Sequence, residues 1–170
     1  RNSFPLKTLK ELNVIEKGFY RHLSDMIVEI LKVQSMNEED FRERINFEDD
    51  EFIFDSFKNN QSAIALVGHV GNHEWLGIAA GIHYGVSVDT IYKQLHNSLM
   101  DNFIKRLRSR FGNYQIEMKS TLKELIKRKN ITRMIAIAGD QAPPKGESYY
   151  QTIFLNQSTS FYTGFYKIAQ

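Results

Sequence analysis

The sequence predicts an α/β fold: a mixed, largely parallel sheet flanked by helices, behind an N-terminal helical lead-in. Two observations predict it. Up to about residue 60 the apolar residues recur every three or four positions, the period of a helix. After "NNQS" the apolar residues gather into short runs that alternate with helical stretches, which is the pattern of a layered sheet with helices on it.

The lead-in opens with "FPLKTLKELNVIEKGFYRHLSDMIVEILKVQ", where Leu6, Leu9, Leu12, Ile15, Phe19, Leu23, Met26, Ile27, Ile30 and Leu31 make one apolar stripe. Pro5 suits the first turn of this helix, and Gly18 is a point where it is expected to break. Asn37 is placed as the cap of a short acidic helix, and a second follows through about Phe57. Ala63–Val67 is then predicted as a buried strand, Trp75–Ile82 as a helix, and Ser87–Tyr92 as a second strand. Asn97–Phe111 is an amphipathic helix closed by Gly112, where a left-handed cap is needed. A short strand over Tyr114–Met118 precedes a helix opened by Thr121-x-x-Glu124, the spacing of a capping box. Met134–Ala138 is another buried strand; the turn "GDQAPPKGES", the run "TIFL" and a final helical segment follow. Residues 1–60 are read as the lead-in and 61–170 as the α/β core, together one structural domain that is incomplete at its C-terminal end.

Composition narrows the chemistry. No stretch approaches the roughly 18 apolar residues that span a bilayer, and no signal peptide is visible. The chain opens on Arg1-Asn2 and stops within "FYKIAQ", so a piece of a longer protein with an upstream anchor is expected. With no cysteine, disulfides, thiolate metal sites and a cysteine nucleophile are excluded. Charge is uneven: residues 37–60 carry nine acids against three bases, and residues 92–133 eleven bases against three acids. The basic half suits an anionic partner such as a phosphate or a membrane surface.

The stretch that needs a chemical explanation is "GHVGNHEW", directly after "AIALV". A core has no use for two histidines and a glutamate at the exit of a strand. His69 in the loop and Glu74 in the first helical turn can meet, because Gly68 and Gly71 permit a bent approach. A carboxylate on an imidazole is the arrangement that removes a hydroxyl proton. His69 and His73, four apart, could instead join Glu74 on a divalent metal, although the order departs from the familiar helical zinc motif. The plainest alternative is polar residues that cap a helix. A second strand-end motif, "GDQAPP", follows Ala138.

"GHVGNHEW" resembles the "GH-x-GN-x-E" signature of the bacterial lipid A biosynthesis (lauroyl/myristoyl) acyltransferases, a branch of the lysophospholipid acyltransferases marked by H-x4-D/E. Four further segments resemble that family in order: the lead-in helix, "IYKQLHNSLMDNFIKRLRSRFG", "GDQAPP" and "FLNQSTSFYTGFYKIA". Three positions depart from its pattern: Gln94 stands for a proline, Asn156 for a glycine, and His73 for an aromatic or apolar residue. The resemblance implies a glycerol-phosphate-acyltransferase-like fold and transfer of a fatty acyl chain from acyl carrier protein, or from coenzyme A, to a hydroxyl of lipid A or a related glycolipid or lysolipid. It implies His69 as general base, Glu74 as its orienter, and Arg110 as the charge on the oxyanion. It also implies substrate contacts from Gly71, Asn72, Lys93, Arg106, Asp140, Gln141, Thr163 and Gly164, with no metal and no cofactor. Partners would be acyl carrier protein, a membrane lipid and the anionic surface of the bacterial inner membrane at its cytoplasmic face, and not nucleic acid. A metal-dependent hydrolase and a non-catalytic lipid-binding relative are the competing readings.

Overall fold

A computed structural model describes residues 1–143, 146 and 149–169. They group into two units, Arg1–Leu31 with Gly139–Gln170, and Lys32–Ala138. The second unit holds the sheet. Strands β1 (Ala63–Val67), β2 (Ser87–Tyr92), β3 (Tyr114–Glu117) and β4 (Arg133–Ala138) lie in the order β1-β4-β2-β3, and every pair is parallel. Each parallel step needs a crossover, which α4 (His73–Tyr84), α5 (Ser98–Arg108) and α6 (Thr121–Lys127) provide. Right-handed crossovers put α4 and α5 on one face and α6 on the other, because the chain reverses direction across the sheet after β3. All four strands therefore end at one edge, and the loop that carries His69 leaves from it.

β4 is central, and Arg133 to Ile137 are buried in succession, as expected for a parallel strand covered on both faces. The core around it joins Met134 and Ala136 to Val88, Ala80 and Tyr84, with Phe57 from α3 (Glu51–Lys58). The acidic helix α2 (Glu38–Arg44) adds Phe41, which is fully buried and meets Trp75 and Phe111 edge-on at ring separations of 6.0 and 5.4 Å. α2 and α3 thus pack with the sheet and set the position of α4. Asn37 caps α2 as expected, in a reciprocal pair with Asp40.

One charge is sunk into this unit. Asp89 on β2 is wholly buried and accepts two hydrogen bonds from Arg128, each 2.9 Å, while Arg133 Nε stands 2.8 Å from it. The Arg133 guanidinium also donates to the carbonyls of Ile131 and Leu125. A buried carboxylate is tolerated only when paired and hydrogen-bonded in this way.

Several expectations are corrected. Ala63–Val67 is an edge strand, not a fully buried one: Ala63 and Ala65 face the core, while Ile64 and Leu66 are exposed on the other side. Among the described residues β4 is the one sheet neighbour of β1, and the core-side face of β1 is the better covered of the two. Helix α1 (Leu9–Lys32) runs unbroken through Gly18, since one glycine costs only about 1 kcal/mol in a helix this long. It starts beyond Pro5, at a Thr8–Glu11 capping pair. Thr121 and Glu124 form no capping box; Thr121 donates to the Met118 carbonyl and Glu124 accepts from the Tyr114 hydroxyl.

In the first unit, "TIFL" belongs to a hairpin of β5 (Tyr149–Phe154) and β6 (Gln157–Tyr162), and α7 (Gly164–Ala169) follows. β6 was not expected, because "QSTSFY" carries too few apolar residues to show a strand period. The two turn residues, Leu155 and Asn156, have φ of 49° and 61°, the pair of left-handed conformations a two-residue hairpin requires. That explains why asparagine can stand at a position otherwise held by glycine. The turn expected over "GDQAPPKGES" lies in part outside the described residues.

Candidate active site

Residues 68–72 connect β1 to α4 and carry the histidine. Gly71 sits at φ +61°, a conformation side chains other than asparagine and aspartate rarely adopt. It turns the chain so that Asn72 can cap α4, its Oδ1 accepting from the Trp75 N–H at 3.0 Å. Trp75 is buried against Phe41, which anchors the first turn of the helix. Glu74 is therefore delivered from a fixed helix end, and His69 from the loop before it.

The arginine that meets Glu74 comes from α5. Arg108 donates through Nε to Glu74 Oε2 at 2.7 Å and through Nη2 to Oε1. This fork is the strongest geometry available to a carboxylate and a guanidinium. Both groups are largely shielded, with side-chain exposures of 13% for Glu74 and 23% for Arg108. His73 Nε2 lies 3.7 Å from Glu74 Oε1, and the His73 ring meets the His69 ring edge-on at 4.7 Å. Burial pushes the Glu74 carboxyl up, but the Arg108 hydrogen bonds and charge outweigh it. Smaller attractions to His73 and His69 add to these, so the group is held below its usual 4.5. A carboxylate that stays ionised, clamped in orientation and close to two imidazoles is suited to stabilising an imidazolium. It is not suited to giving up a proton.

Arg108 is the residue that helix-face arithmetic passed over. By spacing Arg106 and Arg110, four apart, would share a helix face that excludes Arg108; the helix ends at Arg108, and it is Arg108 that reaches Glu74 on α4. Arg110 instead donates to the Val33 carbonyl and lies over the Phe111 ring at 5.0 Å, and Arg106 is exposed. α5 ends at Arg108, short of the expected Phe111, and its cap is Ser109 at φ −89°; Gly112, at φ +83°, turns the chain in the loop beyond the helix instead of capping it.

Lys93 is exposed and follows β2 directly. The loop after it is tied down where the Leu95 N–H donates to Asp101 at 2.9 Å, and Asp101 also pairs with Lys105 at 2.7 Å. Asp140 and Gln141 follow the end of β4 and are exposed. Thr163 precedes α7, a helix of six residues that begins at Gly164. Among the described residues no group of three or more His, Asp or Glu stands where it could hold a metal ion, and both Glu74 oxygens already accept from Arg108. A cavity of about 150 Å³ lies at the far end of α4, lined by residues that include Phe41, Arg42, Ile82 and His83. Among the described residues no helix is long and apolar enough to cross a membrane.

Compared with known protein families, the chain matches the one described as bacterial lipid A biosynthesis acyltransferase over residues 2–169. No curated protein matches it.

Proposed function

The chain belongs to the bacterial lipid A biosynthesis acyltransferase family, and on that premise we propose that it moves a fatty acyl chain from a thioester to a hydroxyl of lipid A or a related membrane glycolipid or lysolipid. The donor is acyl carrier protein, with acyl-coenzyme A as the chemically equivalent thioester. His69 takes the proton of the acceptor hydroxyl as the oxygen attacks the thioester carbonyl. Glu74 fixes the imidazole and stabilises the imidazolium that results. The tetrahedral intermediate collapses by expelling the donor thiolate, which takes the proton back from His69. Base catalysis of this kind contributes on the order of 10²- to 10⁴-fold.

The observation that carries the reading is the Arg108 fork on Glu74. It keeps the carboxylate charged and immobile beside the histidines, so the dyad does not depend on a mobile side chain. Arg110 and the backbone N–H groups of Gly71 and Asn72 are the proposed donors to the oxyanion. Lys93 and Arg106 are proposed to meet acceptor phosphate, with Asp140, Gln141, Thr163 and Gly164 as further acceptor contacts. Reaction would take place at the cytoplasmic face of the inner membrane. His69→Ala and Glu74→Ala, made in the full-length protein and checked for folding by circular dichroism, are expected to abolish thiol release from lauroyl- or myristoyl-acyl carrier protein. Turnover that survives in both variants refutes the mechanism.

A further inference from the structure

His73 stands where the related pattern has an aromatic or apolar residue, and the reaction just described gives it no task. Its surroundings assign it one. His69 is exposed and comes from a loop with a glycine on one side and another two residues later, Gly68 and Gly71. A base must present one nitrogen to the acceptor hydroxyl, so the orientation of its ring matters. Glu74 supports the ring in one orientation only, because Arg108 engages both of its oxygens and fixes the carboxylate. The ring that meets His69 is that of His73, the first residue of α4, edge-on at 4.7 Å with 68° between the planes. His73 is itself restrained: its side chain is only 21% exposed and its Nε2 lies 3.7 Å from Glu74 Oε1.

We propose that His73 is a positioning residue whose ring, seated on the rigid start of α4, holds the His69 imidazole in the orientation that Glu74 supports. The proposal rests on His69 being the base. Edge-to-face ring pairs of this kind favour one arrangement over its alternatives by about 2- to 10-fold, and the effect is on the chemical step, since His73 is given no contact with substrate. His73→Ala is therefore expected to lower kcat by about 3- to 10-fold with KM little changed. His73→Phe, which keeps a ring at this place, restores kcat to near the wild-type value, and His73→Gln, which keeps a polar group without a ring, does not.

A second readout is independent of turnover. In histidine-labelled protein, the ring-current displacement of the His69 Hε1 resonance is lost in His73→Ala and retained in His73→Phe. Restoration by Phe together with the retained resonance position supports the proposal. A His73→Ala enzyme with unchanged kcat, a His73→Gln enzyme restored as well as His73→Phe, or a His69 resonance indifferent to residue 73 overturns it. Failure of the base assignment shows separately, as turnover that survives in His69→Ala.

Discussion

Removing the Arg108 fork is the sharpest perturbation of this site. In Arg108→Ala the Glu74 carboxylate keeps its burial, with 13% of the side chain exposed, but loses two charge-assisted hydrogen bonds, one of them 2.7 Å. Bonds of this class contribute about 1.5–3 kcal/mol each when shielded. The 23% exposure of Arg108 lets solvent recover part of that, so a loss of about 2–3 kcal/mol at neutral pH is expected for the pair. The pH dependence follows from the direction of the shift. Because Glu74 is held below its usual 4.5 in the folded protein, the stability it contributes is present above that value and is lost as pH falls through the lower folded one. Urea denaturation should therefore show the widest gap between wild type and Arg108→Ala near neutral pH, narrowing as acid protonates first the carboxyl of the variant and then the lowered one of the wild type. In the variant, burial is left unopposed by Arg108 and raises the carboxyl, so the dyad weakens in mild acid and kcat falls by about 10- to 100-fold. Arg108→Lys keeps the charge without the planar fork and should recover about half of the lost stability. A variant within about 0.5 kcal/mol of wild type across this range, or a gap that does not narrow in acid, refutes the account of Glu74.

Two further predictions concern the scaffold. Asp89→Asn removes the charge from a wholly buried site that serves two arginines, and should cost about 3–5 kcal/mol in urea denaturation because both guanidinium groups are left in the interior. Asn113 bridges α4 and β2: its Oδ1 accepts from the Val88 N–H at 3.0 Å and its Nδ2 donates to the Gly77 carbonyl at 2.9 Å. A Cβ on Gly81 would fall 3.2 Å from Asn113 Cγ and closer still to Oδ1, so Gly81→Ala should cost about 1–3 kcal/mol. In an Asn113→Ala background the same change should cost much less, a non-additivity measurable as a double-mutant cycle. Equal costs in the two backgrounds would mean that the clash is not what excludes a side chain at Gly81.

The amino-acid sequence alone determined what depends on neighbours along the chain. The shift from helical to strand period at "NNQS" located β1 to β4 within one or two residues, Asn37 marked the start of α2, and "GHVGNHEW" marked the loop that leads from β1 into the helix carrying Glu74. Each of these is a local preference, of period, φ or spacing, and can be read without knowing what lies opposite. β6 escaped because a polar strand in an exposed hairpin has no period to read, and the Thr121–Glu124 cap failed because Tyr114, ten residues away along the chain, claims that carboxylate. The tertiary structure decided the rest. Arg108 lies 34 residues from Glu74, and spacing could only sort the arginines of α5 into faces, not say which face looks at α4. That choice comes from the crossover of β2 to β3, which lays α5 against α4, and from Phe41, Trp75 and Phe111, which set how closely the two approach. Which arginine reaches the carboxylate is a property of the packed pair of helices, and no single helix contains it.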